Sequence, residues 1–197
     1  MKIDMSGQII GTPSADNLAA SVSAATKGKG LPPIHLWNPP FCGDLDIRIA
    51  RDGVWFYMGT PIGRPALVKL FSSILKREGG KYFLVSPVEK VGIKVDDAPF
   101  VAVDFDQIKG NLHFITQVGD RMVAGPDFPI RVERDTNTGE PSPYVLVRNN
   151  LEALIDRKSF YRLVEVGVHE IWEGQSWFGL HSKSTFFPII PSVDLDT

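Results

Sequence analysis

The stretch Leu45-Asp-Ile-Arg-Ile-Ala-Arg-Asp-Gly-Val-Trp-Phe-Tyr-Met58 decides the fold class. Leu45, Ile47 and Ile49 alternate with Asp46 and Arg48, the period of a strand with one buried face. Asp52-Gly53 follows, a pair that tolerates the backbone angles of a tight hairpin turn, and Val54-Trp-Phe-Tyr-Met58 returns. A two-residue turn predicts Ile49 opposite Phe56 and Ile47 opposite Met58, so that both strands bury the same face.

C-terminal to this hairpin, Leu67, Leu70, Phe71, Ile74 and Leu75 recur at helical spacing, with Pro65 in the first turn and Gly79-Gly80 as the stop. Beyond it, period two dominates. Tyr82 to Val85, then Val91, Ile93 and Val95, read as strands broken at Pro87. Val101, Val103 and Phe105 form another, which turns at Lys109-Gly110-Asn111 into Leu112 to Phe114. Ile130 and Val132 face Val145 and Val147 across a polar loop at 135–139. A second helix is expected over about 149–166, bent near Arg157, with Leu151, Leu154, Ile155, Phe160, Leu163 and Val164 inward. Trp177-Phe178 and Phe186-Phe187 make a last hairpin around a Lys/Ser turn. Two helices among about ten strands on short turns predict an α+β fold of two small antiparallel-sheet domains, each with one main helix. Pro65-Ala-Leu-Val-Lys-Leu-Phe before Tyr82-Phe-Leu also resembles Lys158-Ser-Phe-Tyr-Arg-Leu-Val before Trp177-Phe-Gly, the pattern of an internal duplication.

N-terminal to the hairpin, residues 1–33 read as an appendage. A short helix over Asn17 to Thr26, capped by Ser14 or Asp16, has only Leu18 and Val22 to bury. Lys27-Gly-Lys-Gly30 and Pro32-Pro33 then read as a linker. The two domains are expected at 34–90 and 91–197.

Across 197 residues, 21 basic against 23 acidic side chains give a net charge of -2. That balance offers a polyanion no general attraction, so nucleic acid is not an expected partner. No apolar run reaches membrane length, no secretory signal is visible, and Cys42 is the single cysteine, so a cytoplasmic protein without a membrane partner is expected. The phosphate-loop pattern G-x-x-x-x-G-K-S/T and the dinucleotide pattern G-x-G-x-x-G are both absent. His35, His113, His169 and His181 are far apart in sequence and Cys42 has no cysteine partner, so neither a metal nor a cofactor is expected. Asp44/Asp46 and Asp104/Asp106, spaced i,i+2, read as solvated strand faces rather than cation sites. Cys42 reads as a small buried hydrophobe rather than a thiol nucleophile, because no histidine is identified to activate it. Ser6, Ser86 and Ser142 sit in no nucleophile elbow. Nothing here demands an enzyme.

Thr60-Pro-Ile-Gly-Arg-Pro65 leads from strand to helix and places Arg64 at the positive end of the helix dipole. Two readings stand. Free backbone N–H groups, a hydroxyl and Arg64 form an anion-binding corner, or Arg64 reaches back to Asp44 or Asp46 and ties the hairpin to the helix.

Trp37-Asn-Pro, Cys42-Gly-Asp-Leu-Asp-Ile-Arg-Ile49, Asp52 to Arg64, Leu67-Val-Lys-Leu-Phe71, Val85-Ser-Pro-Val-Glu-Lys90, Asp97-Ala-Pro-Phe-Val101, Pro143-Tyr-Val-Leu-Val-Arg148 and Phe160-Tyr-Arg-Leu-Val164 together resemble a bacterial family of unknown function with a duplicated domain. The likeness spans about residues 32–190. Leu180-His181-Ser182 and Phe128-Pro129 depart from the family pattern, which has an aromatic-Ser turn and a His-Pro there. The resemblance implies a loosely pleckstrin-homology-like C-terminal half, a groove between the halves for a nucleotide-type ligand, a role in signal transduction, and no established enzymatic activity. A ligand site in that groove is expected from Trp37, Asp44, Arg64 and Glu89 of the first half and Tyr144 and Arg148 of the second. Strand alternation puts Tyr144 and Arg148 on the face opposite Val145 and Val147. Two arginines then clamp a phosphate while Asp44 or Glu89 holds them poised, or the same groups form an ion-pair network that binds nothing. The expected function is a cytoplasmic small-molecule binding or sensing protein with a phosphate-bearing ligand. The alternatives are a protein-interaction module, using an exposed sheet edge or the aromatic surface around Trp177 and Phe178, and a hydrolase of a phosphorylated substrate built from Asp44, Asp46, Glu89 and Arg64.

Overall fold

The computed structural model describes residues 2–3, 9–10, 14–25 and 30–195 and divides into two units, Met1–Asp96 and Asp97–Thr197. In the first unit, β1 (Lys2–Ile3) pairs antiparallel with β2 (Ile9–Ile10), and α1 (Ala15–Ala25) follows. Then come β3 (Phe41–Ile49), β4 (Trp55–Tyr57), β5 (Thr60–Pro61), α2 (Pro65–Ser73), β6 (Leu75–Glu78), β7 (Lys81–Val85) and β8 (Lys90–Val95). Their sheet runs β5-β4-β3-β8-β7-β6, antiparallel throughout except for the central parallel pair β3/β8.

The opening hairpin forms one register step away from expectation: Ile49 pairs with Trp55, Arg48 with Phe56 and Ile47 with Tyr57. The loop holds three residues rather than two. Ala50 N–H donates to the Val54 carbonyl, Gly53 N–H donates to the Ala50 carbonyl, and Gly53 takes a φ of 83° that suits glycine. The extra residue turns Trp55 inward, where it is 2% exposed and stacks on Phe71 at 6.4 Å between centroids, and leaves Met58 outside.

The helix expected to run to Gly79-Gly80 stops at Ser73. Leu75–Glu78 is instead a strand, because the two glycines, both at positive φ, turn β6 back onto β7. Residues 15–25 are no appendage: Leu18 and Val22 are fully buried and α1 packs on α2. The Ser14 hydroxyl does cap that helix, accepting the Asn17 N–H at 3.2 Å. Ser6, Thr26 and Lys27-Gly-Lys of the expected linker lie outside the described residues. The division falls six residues beyond the expected 90/91, since β8 is bonded to β3 and β7 and so belongs to the first unit.

The second unit comprises β9 (Phe100–Ile108), β10 (Asn111–Thr116), β11 (Arg121–Val123), β12 (Ile130–Arg134), β13 (Pro141–Arg148), β14 (Leu151–Ile155), α3 (Arg157–Glu165), β15 (Val168–Trp172), β16 (Gln175–Ser182) and β17 (Thr185–Pro191). Its larger sheet runs β11-β10-β9-β14-β13-β12 with a parallel β9/β14 pair, and β15-β16-β17 form a separate antiparallel sheet. The helix expected from 149 begins only at Arg157, where the Asp156 carboxylate accepts the Ser159 N–H at 2.7 Å. Before it, Leu151, Ala153 and Ile155 are buried and Glu152 and Leu154 half-buried, the alternation of a strand. Apolar residues at 151, 154 and 155 satisfy both periods, and ladders to β13 and β9 settle the choice.

The architecture is α+β and internally repetitive. Each six-stranded sheet joins two three-stranded meanders through its first and last strands, and α2 and α3 each precede a three-stranded run, β6–β8 and β15–β17. For the half expected to be pleckstrin-homology-like, the description is a mixed six-stranded sheet, a three-stranded sheet and one helix. No helix among the described residues is long and apolar enough to cross a membrane.

Candidate functional site

The site is built on β9, β10 and β11. Their register aligns Asp104, Ile115 and Arg121 in one cross-strand row and Asp106, His113 and Val123 in the next, all on one face. The intervening row, Phe105, Phe114 and Met122, is buried, with the two rings 5.7 Å apart. The polar rows supply Asp104, Asp106, His113 and Arg121 to a cleft of about 550 Å³ that Phe128 and Lys183 also line. That volume lies within the ~300–1,000 Å³ typical of small-molecule sites.

Lys183 reaches this cleft because the β16–β17 turn is anchored on β10. Lys183 and Ser184 both take positive φ. Lys183 N–H donates to Asn111 Oδ1 at 2.8 Å. Beside it, the Ser182 hydroxyl donates to the Ala124 carbonyl at 2.7 Å and accepts the Leu112 N–H at 3.0 Å. The aliphatic stem of Lys183 lies flat on Gly125, where a Cβ would come within 2.8 Å of Cδ.

The electrostatics are uneven. Arg162 hydrogen-bonds the Asp104 carboxylate and, with the Phe105 N–H, holds it below the usual carboxylate range. Arg162 also donates to the Phe105 carbonyl at 2.9 Å and lies over the Phe105 ring. By contrast, the side chains of Arg121, Lys183 and His113 meet no hydrogen-bond or ion-pair partner among the described residues. Two cations thus face the cleft with Asp106 as the uncommitted carboxylate. A guanidinium fork and an ammonium in one cleft suit an anion, and the apolar wall of Ile108, Val123 and Phe128 suits an organic body attached to it. No group of three or more His, Cys, Asp or Glu among the described residues is placed to hold a metal.

Little in the sequence marks this cleft. Asp104/Asp106 read as a solvated face, and His113, Arg121 and Lys183 are scattered along the chain. The alternation of β9 and β10 was a usable signal, whereas the approach of Lys183 depends on tertiary packing.

The residues expected to bind stand elsewhere. Trp37 is half-buried after a single 3-10 turn at Ile34–Leu36. Asp44 is exposed on β3, with its carboxylate over Gly92. Arg64 meets neither Asp44 nor Asp46; it lies 4.0 Å from Asp16, and with side chains 74% and 93% exposed the pair contributes little. Glu89 is half-buried in a turn where the Ser86 hydroxyl accepts the Val88 and Glu89 N–H groups, and burial raises its carboxyl. No hydrogen bond or ion pair among the described residues joins any two of these four, and neither they nor Asp46 line the cleft.

In the second unit, the Tyr144 hydroxyl donates to Asp97 Oδ1 at 2.8 Å, and Arg131, paired with Glu152 at 2.6 Å, lies 4.3 Å over its ring. Burial and the Asp97 contact push the phenol up to about 12. Arg148 is ion-paired with Asp120 and lies 4.7 Å over Phe100. A bulge between Leu146 and Arg148 aligns Arg148 with buried Leu151, on the face of Val145. Tyr144 and Arg148 therefore point to opposite faces, against the simple alternation expected of them. Of the aromatic surface, Phe178 is buried, whereas Trp177 is half-buried and meets Trp172 edge-on.

Residues 32–98 match the domain of unknown function (DUF1285), N-terminal domain, and residues 99–189 match the protein of unknown function (DUF1285), C-terminal domain. The chain is similar to the crystal structure of a DUF1285 family protein from Silicibacter pomeroyi DSS-3, at 61% identity and a TM-score of 0.82, over 93% of this chain and 100% of that one. A DUF1285 family protein from Shewanella baltica OS155 aligns at 28% identity and a TM-score of 0.49, over 61% of this chain and 91% of that one. No curated protein matches the chain.

Proposed function

The chain belongs to the DUF1285 family, and from that premise we propose that it is a small-molecule binding and sensing protein whose ligand carries a phosphate and sits in the β9–β10–β11 cleft. One observation carries the reading: Arg121 and Lys183 line a ligand-sized cleft without a partner among the described residues. A phosphate takes the guanidinium fork and the ammonium together, and an aromatic or aliphatic body lies against Phe128 and Ile108. Arg148 takes no part, because Asp120 occupies it. The setting is cytoplasmic, which a single half-buried thiol fits, and signalling follows from occupancy of the cleft.

The test is a thermal-shift screen of nucleotides, sugar phosphates and inorganic phosphate. A ligand at 100 times its dissociation constant adds ~2.7 kcal/mol of stability. Arg121→Ala, and Lys183→Met, which keeps the aliphatic stem on Gly125, are each expected to melt like the wild type without ligand and to lose ~1.5–3 kcal/mol of affinity. If no phosphate compound shifts the melting temperature, the reading falls. A second reading, a protein-interaction module, is favoured by β15: it is an edge strand with Val168 and Ile171 exposed, open to addition of an extended peptide.

A further inference from the structure

We propose that Trp172, Trp177 and Glu170 form a binding site for a small, soluble quaternary ammonium ion, separate from the cleft. The β15–β16 hairpin pairs Glu170 with Trp177 and Trp172 with Gln175, so strand alternation places all four on one face. The two indoles are half-buried, their centroids 5.9 Å apart and their planes at 86°, so the edge of one meets the face of the other and their remaining faces stand at right angles around a corner. Glu170 lies beside that corner. One of its carboxylate oxygens is held by His181 Nε2 at 2.5 Å, and the other meets no partner among the described residues.

What the corner lacks is a cation. Six other aromatic rings among the described residues each carry an arginine or lysine over their face, from Arg48 on Phe56 to Arg162 on Phe105. Among the described residues, no arginine or lysine lies over a tryptophan, although tryptophan faces attract cations more strongly than phenylalanine or tyrosine. The Glu170 carboxylate stands there instead, so charge and ring quadrupole both favour an external cation.

The class of cation follows from the hydrogen-bond inventory. Indole faces accept no strong hydrogen bond, and the Glu170 carboxylate is already half engaged. A primary ammonium would have to leave N–H groups unsatisfied against the rings, whereas a trimethylammonium group has none to satisfy and is weakly hydrated.

The experiment follows the indole N–H resonances of the full-length protein during titration with choline chloride, with sodium chloride as the ionic-strength control. Trp37, Trp55, Trp172 and Trp177 give four signals. Saturable shifts are expected at Trp172 and Trp177 alone, and 3,3-dimethylbutanol, the neutral isostere of choline, is expected to produce none. Trp177→Ala abolishes saturation while the Trp55 signal, from the core of the first unit, stays in place. Glu170→Gln leaves both indoles and weakens binding about tenfold, the order of one cation–π or carboxylate contact. Three results would overturn the assignment: no choline response, an equal response to dimethylbutanol, or shifts spread over all four indoles. Binding to phosphatidylcholine vesicles without a response to free choline would also overturn it, in favour of a lipid headgroup.

Discussion

Replacing Ser182 by alanine tests how the cleft is held together. Its hydroxyl donates to the Ala124 carbonyl at 2.7 Å and accepts the Leu112 N–H at 3.0 Å, in a residue only 2% exposed. Both backbone partners belong to buried residues, so Ser182→Ala strands one donor and one acceptor where water has no access. Each stranded group costs about 1–3 kcal/mol, the carbonyl toward the lower end because its second lone pair lets it recover. The sum is about 2–4 kcal/mol, or a fall of ~4–16 °C at the ~2–4 °C per kcal/mol usual for this chain length. Denaturant titration reads the stability, and hydrogen exchange at the Leu112 amide reads the lost bond directly. Because the same hydroxyl anchors the turn that carries Lys183, affinity for any phosphate ligand should fall with it. A loss under about 0.5 kcal/mol with Leu112 still protected would show that the Ser182 hydroxyl does not hold these two backbone groups, since surface substitutions alone reach that size.

Two further outcomes are expected. The Tyr144 phenol titrates near 12 in the fold against 10.0 ordinarily, so its contribution is complete below pH 10 and is lost as pH rises through 12; Tyr144→Phe should flatten that part of the stability profile, and an unchanged slope in the variant would assign it to other groups. At Gly167 an added Cβ would lie 2.1 Å from the Phe178 ring, so Gly167→Ala should cost ~1–3 kcal/mol by overpacking and recover with Phe178→Leu; a neutral Gly167→Ala in urea titration would show that the ring yields freely.

Much of the fold was legible wherever alternation and turn chemistry agreed. The β3–β4 hairpin, the Lys109-Gly110 turn, the β12–β13 hairpin and the final hairpin all follow from residues within about fifteen positions of one another. Legibility fails where two periods share the same residues. Leu151, Leu154 and Ile155 fit a helix as well as a strand, and Ile74-Leu75 continued the α2 stripe although they belong to its cap and to β6. The Asp52-Gly53 signal placed the hairpin correctly but not its register, because a glycine at positive φ also closes a three-residue loop. The candidate site was less legible for a related reason. Arg148 changes face through a bulge that no local pattern announces, and Lys183 meets the β10 strand through contacts some seventy positions apart in the chain. Spacing finds residues that share a strand, not strands that share a cleft.

The parallel pair at the centre of each sheet has a kinetic consequence. Each three-stranded meander consists of neighbours in sequence and can form by itself on microsecond hairpin timescales. The β3/β8 and β9/β14 pairs join residues about 50 positions apart, as in Phe41 with Lys90 and Phe100 with Ala153. Loop closure must precede those contacts, so the docking of two preformed meanders is the slow step in each unit. Substitutions along β3 and β9 should therefore slow folding, whereas those on the outer strands β5, β6, β11 and β12 should mainly speed unfolding. During synthesis neither sheet can close until its sixth strand has left the ribosome, and until then the unpaired edges of β3 and β9 are open templates for association with another copy.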